Sequence, residues 1–171
     1  MTDLLNPALP LPAATAPSGP LRRHSETSAG VTVAWARHLD EVRQAQRLRY
    51  AVFVDEMGAR LDTPLPGHDV DRFDDYCEHL LVREVLADGA SGEVIGTYRV
   101  LTPAQAQRAG GTYSDTEFDL DRLHALRERM VELGRSCVHA DHRQGGVILA
   151  LWGALAEVMQ RNQLDAMVGC A

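Results

Sequence analysis

The sequence predicts an α/β fold, in which helices flank a mixed β-sheet. Short segments rich in β-branched residues alternate with segments whose apolar residues recur at helical spacing, and this order is typical of a mixed sheet covered by helices. A chain of 171 residues suits one domain with a buried core. The strongest helical segment, residues 146–160, places these apolar residues on one face: Ile148, Leu151, Trp152, Leu155, Val158 and Met159.

The first part of the domain is predicted to contain a strand, a helix and a long loop. Alternating β-branched residues predict a strand over residues 31–37. Two prolines and a glycine interrupt regular structure in residues 58–77, and loops of that length in compact domains are usually functional or disordered. The helix between them, residues 39–54, carries one stripe at helical spacing: Leu39, Val42, Ala45, Arg49 and Phe53.

The second part begins with a predicted β-hairpin, formed by residues 79–86 and 93–101 around a turn at residues 88–92. A short helix over residues 102–109 follows, because a threonine stands at its cap and a proline at its first position. The last predicted elements are, in order, a short helix at residues 120–129, a strand at 130–139, the helix at 146–160 and a strand at 164–170.

Composition and charge limit the classes of function. Apolar residues make up 45% and charged residues 24% of the chain, which is ordinary for a soluble globular protein. The formal net charge of -7 argues against general binding of nucleic acid. Three cysteines, Cys77, Cys137 and Cys170, form neither a disulfide framework nor a Cys-x-x-Cys pair, which suits a reducing cytoplasm.

The amino-terminal segment has a different composition from the rest. Residues 1–30 are rich in proline and alanine and lack the basic and apolar segments of a signal peptide, so we expect a disordered arm ahead of a folded domain over residues 31–171. No apolar run in the chain approaches the roughly 20 residues needed to cross a bilayer.

Charged residues in the first helix and the long loop suggest a binding site. Arg49 lies on the apolar stripe of the helix, where an unpaired guanidinium is costly, so it needs a carboxylate or a ligand. The loop holds Asp69, Asp71 and Asp74 in an acidic run that attracts an amine or a metal, or is simply a solvated loop. A metal site is the less favoured alternative, because the spacing matches neither a calcium loop nor a zinc motif; its ligands would be His68, Asp69, Asp71 and His79.

The predicted strand at residues 130–139 carries Glu132 and Arg135, which lie on opposite faces of a regular strand unless Gly134 introduces a bulge. Glu132 can accept a proton from an attacking amine, or it can form a buried pair with Arg99 or Arg49. The same strand holds Cys137, a possible nucleophile, although a cysteine in an apolar run is more often an inert buried thiol.

The turn after this strand offers two further patterns. His139 and His142, with Asp141 between them, resemble a fragment of a metal site but fit a polar loop better. Arg143 to Gly146, R-Q-G-G, precede the strongest helix, and free N–H groups at a helix start favour a phosphate. A plain glycine turn explains this pattern equally well.

The ordered set of motifs resembles one enzyme family over residues 31–171. The motifs are R-Y-x-V-F-x-x-E, D-x-D-x-x-D, H-L-L-V, G-T-Y-R, E-F-D-L, E-L-G-R-x-C-V, R-x-G-G-x-I-x-x-L-W and a final G-C-A. They are similar to those of the ornithine–acyl-carrier-protein N-acyltransferases, lyso-ornithine-lipid synthases often labelled hemolysin-like, within the Gcn5-related acyltransferase fold. The acyl-homoserine-lactone synthases are similar in fold.

The resemblance implies a reaction and roles for residues. It implies transfer of a 3-hydroxy fatty acyl group from acyl carrier protein to the α-amine of L-ornithine, with coenzyme A as another possible donor and no cofactor or metal. In the roles it implies, the catalytic residues are Glu132, Arg135 and Arg99; the substrate-binding residues are Arg49, Phe53, Asp69, Asp71 and Asp74; the acyl-donor-binding residues are Val138, Arg143, Gly145 and Gly146. Arg122, Arg127 and Arg129 are expected to dock the acidic carrier protein, unless they are solvated arginines.

The chain also departs from the families it resembles. The tryptophan that lactone synthases carry shortly after Phe53 is absent, which argues against lactone synthesis. Chains of the family continue past G-C-A, so a last helix and strands are expected to be missing. The alternatives are an acyl-homoserine-lactone synthase or another amine acyltransferase, and a non-catalytic acyl-carrier-binding or membrane-active module. The expected location is the cytoplasm, with contact to the inner membrane because the product is a lipid.

Overall fold

A computed structural model of the protein describes residues 30–170. The predicted amino-terminal arm, except for Gly30, lies outside the described residues. In the described part of the chain, no helix is long and apolar enough to cross a membrane.

Within residues 30–170, five strands form one mixed sheet and follow each other across it in chain order. The first four strands run antiparallel to one another, and the fifth runs parallel to the fourth. The predicted α/β class and mixed sheet are confirmed, although the last strand is shorter than expected. The strands are β1 (Val31–Trp35), β2 (Glu78–Val85), β3 (Ser91–Leu101), β4 (Met130–Val138) and β5 (Ala166–Val168).

The helices lie close to the predicted positions, with differences in type. The predicted first helix is α-helical at first and then continues as a π-helix, and the segment before β4 is a 3-10 helix. The single helical turn at Ser114–Glu117 was not predicted. The α-helices are α1 (Leu39–Tyr50), α2 (Pro103–Ala109), α3 (Ser114–Glu117) and α4 (Gly146–Arg161); the π-helix is Ala51–Glu56, and the 3-10 segments are Asp121–Arg129 and Ala140–His142.

Helices cover both faces of the sheet. Successive residues of a strand point to opposite faces, and in β2 the residues on both faces are buried. Leu80 and Val82 of β2 join the cluster formed with α4. Leu81, between them, joins the cluster formed with α1, where Ala45 and Leu48 are also buried. The helices α1 and α4 therefore lie on opposite faces of the sheet.

Helix α4 buries a narrower face than its apolar pattern predicts. Its buried residues are Val147, Leu151, Leu155 and Val158, one row at spacings of three and four. Ile148 and Trp152, predicted to face the core, are 42% and 48% exposed. They lie on the flank of the helix, where the rings of Trp152 and Tyr98 meet edge to face, with 6.5 Å between their centroids. The stripe predicted for α1 has a similar error, because Leu39 is 64% exposed.

A β-bulge interrupts β4 next to Gly134, as the sequence suggested. Thr97 pairs with Cys137 and Arg99 pairs with Gly134, so β4 has one residue more than β3 between these pairs. Arg135 adopts a left-handed backbone conformation there, with φ of 53°. The bulge therefore turns the Arg135 side chain to a direction that a regular strand would not allow.

Strands β4 and β5 pair only at the start of β4. Their register joins Met130, Val131 and Glu132 with Ala166, Met167 and Val168. Immediately afterwards Gly169 passes so close to β4 that an added Cβ would lie 2.3 Å from the carbonyl oxygen of Leu133. Only glycine fits this approach, which explains the glycine of the G-C-A motif.

Candidate active site

Three arginines and three aspartates from four elements form a closed ring of alternating charge, here called the Arg–Asp ring. Its residues are Arg49, Asp69, Arg135, Asp71, Arg99 and Asp74. Each aspartate bridges two arginines, and each arginine bridges two aspartates. The nitrogen–oxygen distances of these six ion pairs are 2.6–3.2 Å. The ring therefore brings together residues that are up to 86 positions apart, from Arg49 to Arg135.

Local structure positions each member of the ring. Arg49 stands at the end of α1, and Arg99 lies on β3. Arg135 reaches the ring from the bulge of β4, with Nε 2.9 Å from Oδ2 of Asp69. The acidic loop is held by its own turn, because Oδ1 of Asp71 accepts a hydrogen bond from the N–H of Phe73 at 2.8 Å.

The ring is largely buried and has no net charge. Side chains of Arg49, Asp69, Arg99 and Asp74 are at most 4% exposed, whereas those of Asp71 and Arg135 are about 22% and 21% exposed. Burial alone would raise the pKa of Asp74, but Arg49 and Arg99 outweigh it and lower the pKa to about 2. The pKa of Arg99 is raised, because its carboxylate partners outweigh the opposing effect of burial.

The expectation of a negative pocket in the acidic loop is therefore wrong for these three aspartates. Each of the carboxylates Asp69, Asp71 and Asp74 already pairs with two guanidinium groups. Their assignment to substrate binding, together with that of Arg49, stays a prediction. The observed contacts give them a structural role, which is to hold the loop, α1, β3 and β4 together.

Glu132 caps a short turn and pairs with no arginine of residues 30–170. Its Oε2 accepts the N–H of Tyr113 at 2.8 Å, and its Oε1 accepts the N–H and the hydroxyl of Ser114, both at 2.6 Å. The alternative of a pair with Arg99 or Arg49 is thus wrong. Three donors leave about one lone-pair position of the carboxylate free for another partner.

Tyr113 and Ser114 were not among the predicted site residues. Ser114 followed by Asp115 and Glu117 has the composition of a helix start, which was a usable local signal. Nothing local connects this turn to Glu132, which lies 18 residues further along the chain. The contact forms because the fold places the start of β4 beside the start of α3.

A small cavity of about 30 Å³ lies beside Glu132, between the turn of Tyr113 and the Arg–Asp ring. This space holds on the order of two water molecules. Its walls carry two arginines of the ring and the carboxylate of Glu132. The lining residues are Cys77, Arg99, Leu101, Tyr113, Glu132, Leu133, Gly134, Arg135 and Cys170. The cavity thus joins a carboxylate and two guanidinium groups around one small space.

The end of β4 opens to one side. His139 donates its N–H to the carbonyl of Ile95, so the neighbouring pair Gly96 and Val138 is not hydrogen-bonded and Val138 points its N–H and C=O away from β3. The C=O accepts a hydrogen bond from Nε of Arg143 at 3.1 Å. Since β5 pairs only with the start of β4, the N–H of Val138 faces the gap where these two strands part, among the residues described.

The start of α4 lies next to this open edge. Gly145, with φ of 93°, forms the cap, and Gly146 begins the helix; an added Cβ would meet nothing at either position. Arg143 pairs with Glu56 of the π-helix, with Nη2 2.5 Å from Oε2. The predicted donor-binding residues Val138, Arg143 and Gly145 are therefore neighbours, with Arg143 engaged by a carboxylate.

Several other predicted features lie outside the cavity. Burial raises the pKa of the Cys137 thiol to about 12, which agrees with an inert core residue. Phe53 packs against the same apolar cluster. Within residues 30–170 no group of three or more potential ligands is arranged for a metal ion. Two of the arginines predicted to dock a carrier protein have partners, since Arg127 pairs with Asp115 and Arg129 with Asp165.

Comparison with known proteins gives the class of this domain. A family model described as Acetyltransferase (GNAT) domain matches residues 48–153. The chain therefore belongs to the acetyltransferase (GNAT) domain family.

More specific similarity is to proteins named L-ornithine N(alpha)-acyltransferase. The chain is 42% identical to that of Rhodobacter capsulatus over 145 residues, covering 80% of this chain and 54% of the relative. It is 41% identical to that of Brucella abortus over 135 residues, covering 76% and 48%. The chain thus spans about half the length of the curated relatives it matches.

Solved structures of lactone synthases share the fold. The CoA-dependent acyl-homoserine lactone synthase BjaI, with SAM and isopentyl-CoA, gives a TM-score of 0.58 at 25% identity, covering 82% of this chain and 66% of that one. The AHL synthase LasI gives a TM-score of 0.57 at 19% identity, covering 81% and 70%, and shows the fold alone.

Proposed function

We propose that the protein is an N-acyltransferase that moves a 3-hydroxy fatty acyl group from acyl carrier protein to the α-amine of L-ornithine. The observation that carries the proposal is the position of Glu132, a buried carboxylate in a small polar cavity on β4. Further along the same strand, Val138 offers an N–H group toward an open edge. The strand thus carries a base for the amine and an N–H donor for the carbonyl oxygen of the thioester, and it can hold the two substrates next to each other.

In the proposed reaction the neutral α-amine attacks the thioester carbon. A carbon–nitrogen bond forms, the carbon–sulfur bond breaks, and the thiolate leaves with the electron pair. Glu132 takes the proton of the attacking nitrogen, directly or through a water in the cavity, and the proton then neutralises the thiolate. The three hydrogen bonds from Tyr113 and Ser114 fix the direction of the carboxylate.

The acyl donor is proposed to lie along the open edge of β4. The N–H of Val138 would bind the carbonyl oxygen, where negative charge develops during attack. Free N–H groups at the start of α4, around Gly145 and Gly146, would hold a phosphate of the pantetheine arm. Arg143 would reach that phosphate by exchanging its contact with Glu56, which is partly exposed and therefore weakly held.

Carrier protein is the preferred donor and coenzyme A the alternative, since both present the same phosphopantetheine arm. Arg122 and neighbouring arginines of the 3-10 segment would meet an acidic carrier protein. Because the product is a lipid, we propose a cytoplasmic enzyme that touches the inner membrane from one side.

The direct test supplies L-ornithine with 3-hydroxyacyl carrier protein, or with the matching coenzyme A thioester, and follows N-acyl ornithine by mass spectrometry. Glu132→Gln is expected to reduce turnover about 100-fold, the usual range for loss of a general base. Ser114→Ala is the matched control, because it removes one hydrogen bond to Glu132 and keeps the carboxylate. Absence of acyl ornithine with the unaltered protein, or normal turnover by Glu132→Gln, contradicts the proposal.

A second candidate reaction is lactone synthesis, which the likeness to the lactone synthase structure bound to SAM favours. Replacing ornithine by S-adenosylmethionine in the same assay tests it. Acyl-homoserine lactone as the main product would support this second candidate and exclude ornithine as the principal acceptor.

A further inference from the structure

Each arginine of the Arg–Asp ring has a guanidinium nitrogen outside the ring contacts, but only Arg99 and Arg135 also line the cavity beside Glu132. Nη1 of Arg49 is buried without a partner among the described residues, and Arg49 is not part of the cavity lining. Arg99 gives only Nη1 to the ring, to Asp71 and Asp74. Arg135 gives Nε and Nη2, to Asp69 and Asp71. The donors outside these ring contacts are Nε and Nη2 of Arg99 and Nη1 of Arg135, and both arginines line the cavity beside Glu132.

The ring makes these two arginines suitable for binding an anion. Their side chains are fixed by two carboxylates each, so little conformational entropy remains to be lost when a ligand binds. A guanidinium presents its donors in a planar fork that matches a carboxylate, and in a largely water-excluded space this interaction is strong. Arg99, 4% exposed, meets this condition well.

The cavity also determines where an amine must stand. Arg99 pairs with Gly134 and Leu101 with Glu132 in adjacent strands, so the base and the guanidinium group are neighbours on the sheet. The guanidinium carbon of Arg135 lies 5.2 Å from the ring centroid of Tyr113, whose backbone N–H holds Glu132. A ligand that touches Glu132 and both arginines must carry its amine and its anionic group close together.

We propose that Arg99 and Arg135 bind the carboxylate of the acceptor, with its α-amine directed to Glu132, so that the site selects free α-amino acids. This inference rests on the proposed function. In an α-amino acid, one carbon carries both groups, so the carboxylate can face the two arginines while the amine faces Glu132. A side-chain amine is several bonds from the carboxylate and lies away from Glu132 when the carboxylate is bound, which explains acylation at the α-position.

The test compares L-ornithine with ornithinamide, which has a neutral amide in place of the carboxylate, and with 1,4-diaminobutane, which lacks the group. With unaltered protein, kcat/KM for ornithine is expected to exceed that for ornithinamide by about 100-fold. Arg135→Gln should lower kcat/KM for ornithine far more than that for ornithinamide, so that the ratio between the two substrates falls from about 100 toward 1. Arg60→Gln, an exposed arginine outside the site, should preserve the 100-fold ratio.

Calorimetric titration of the donor-free protein with ornithine and ornithinamide separates this inference from the proposed function. If no acceptor is acylated, the proposed function fails, but tighter binding of ornithine that Arg135→Gln abolishes still supports carboxylate recognition. Binding of ornithine no tighter than that of ornithinamide overturns the inference, even if ornithine is acylated. Should Arg135→Gln fail to fold, Arg135→Lys retains the charge without the fork, and an unchanged ratio there also overturns it.

Discussion

Arg135 and Asp69 form an ion pair, with 2.9 Å between Nε and Oδ2, that joins the bulge of β4 to the long acidic loop. Arg135 makes this contact from a left-handed backbone conformation. This conformation costs about 1–3 kcal/mol, and it persists only where surrounding contacts maintain it. The same arginine also reaches Asp71, so two ion pairs hold the bulge in place. The two ion pairs thus offset the cost of the strained backbone at Arg135, next to the cavity.

Loss of Arg49 should strongly destabilise the protein. Arg49→Gln leaves the buried carboxylates of Asp69 and Asp74 with one arginine each, and removing one partner from such a network costs about 3–5 kcal/mol. Arg129→Gln breaks an exposed pair with Asp165 and should cost less than about 1 kcal/mol. Free energies of unfolding from urea titration measure both; equal losses would show that the ring does not stabilise the fold.

Stability should fall in acid partly through Asp74. Its pKa is about 2 in the folded protein, below the value of roughly 3.9 expected when unfolded, so its contribution is complete above about pH 5. The contribution, about 2–3 kcal/mol, is lost as the pH falls through 4 toward 2, because the unfolded chain binds the proton first.

Urea unfolding between pH 2 and pH 6 measures this dependence. Asp74→Asn should flatten the curve below pH 4, whereas Asp62→Asn, at an exposed position, should leave its shape unchanged. A curve for Asp74→Asn parallel to that of the unaltered protein contradicts the assigned pKa.

Gly169→Ala and Gly153→Ala should have opposite effects. An added methyl at residue 169 meets the backbone of Leu133, which cannot move cheaply, and should cost about 1–3 kcal/mol. At residue 153 it meets nothing and removes a glycine from the interior of α4, so a gain of about 0.5–1 kcal/mol is expected. Thermal unfolding of the two variants measures whether each loses or gains stability. If Gly169→Ala does not change the stability, Gly169 does not approach the backbone of Leu133 closely.

Gly146→Ala tests the proposed donor site. The structure has open space at this position, so stability should not fall. A methyl group at the helix start should keep a phosphate from the N–H groups and raise KM for the acyl donor about tenfold, with little change in kcat. Gly153→Ala, further along α4, serves as the kinetic control. An unchanged KM would place the donor elsewhere.

The thiols should differ in reactivity. Cys170 is exposed, whereas burial raises the pKa values of Cys77 and Cys137 to about 12. Iodoacetamide at neutral pH should therefore modify Cys170 first, and the other two only after unfolding. Peptide mass mapping after a time course gives the order, and rapid modification of Cys137 in the folded protein would contradict its burial.

Most elements of the fold were predictable because their signals are local. The Thr102 cap with Pro103 and the alternation in β2 and β3 depend on neighbouring residues, and the structure has these elements close to the expected places. The exposed side of α4 was not predictable. Ile148 and Trp152 have the spacing of core residues, but the sheet beneath the helix covers only one row.

The sequence indicated which charged residues belong to the candidate site, but not which of them pair with each other. Arg49, Asp69, Asp71 and Asp74 stood out as charged residues, and Gly134 indicated the bulge. Their pairing was hidden, because each ring contact joins residues at least 20 positions apart. The partners of Glu132 were hidden for the same reason.

By itself the sequence determined the α/β class, the order of elements and the set of charged residues, since periodicity, caps and motifs act within a few residues along the chain. Only the tertiary structure decided that the aspartates are neutralised, that Glu132 holds the turn at Ser114, and that Arg99 and Arg135 share a cavity with it. Whether two charged side chains form an ion pair depends on their distance in space. That distance is fixed only when the fold brings α1, β3, β4 and the loop together.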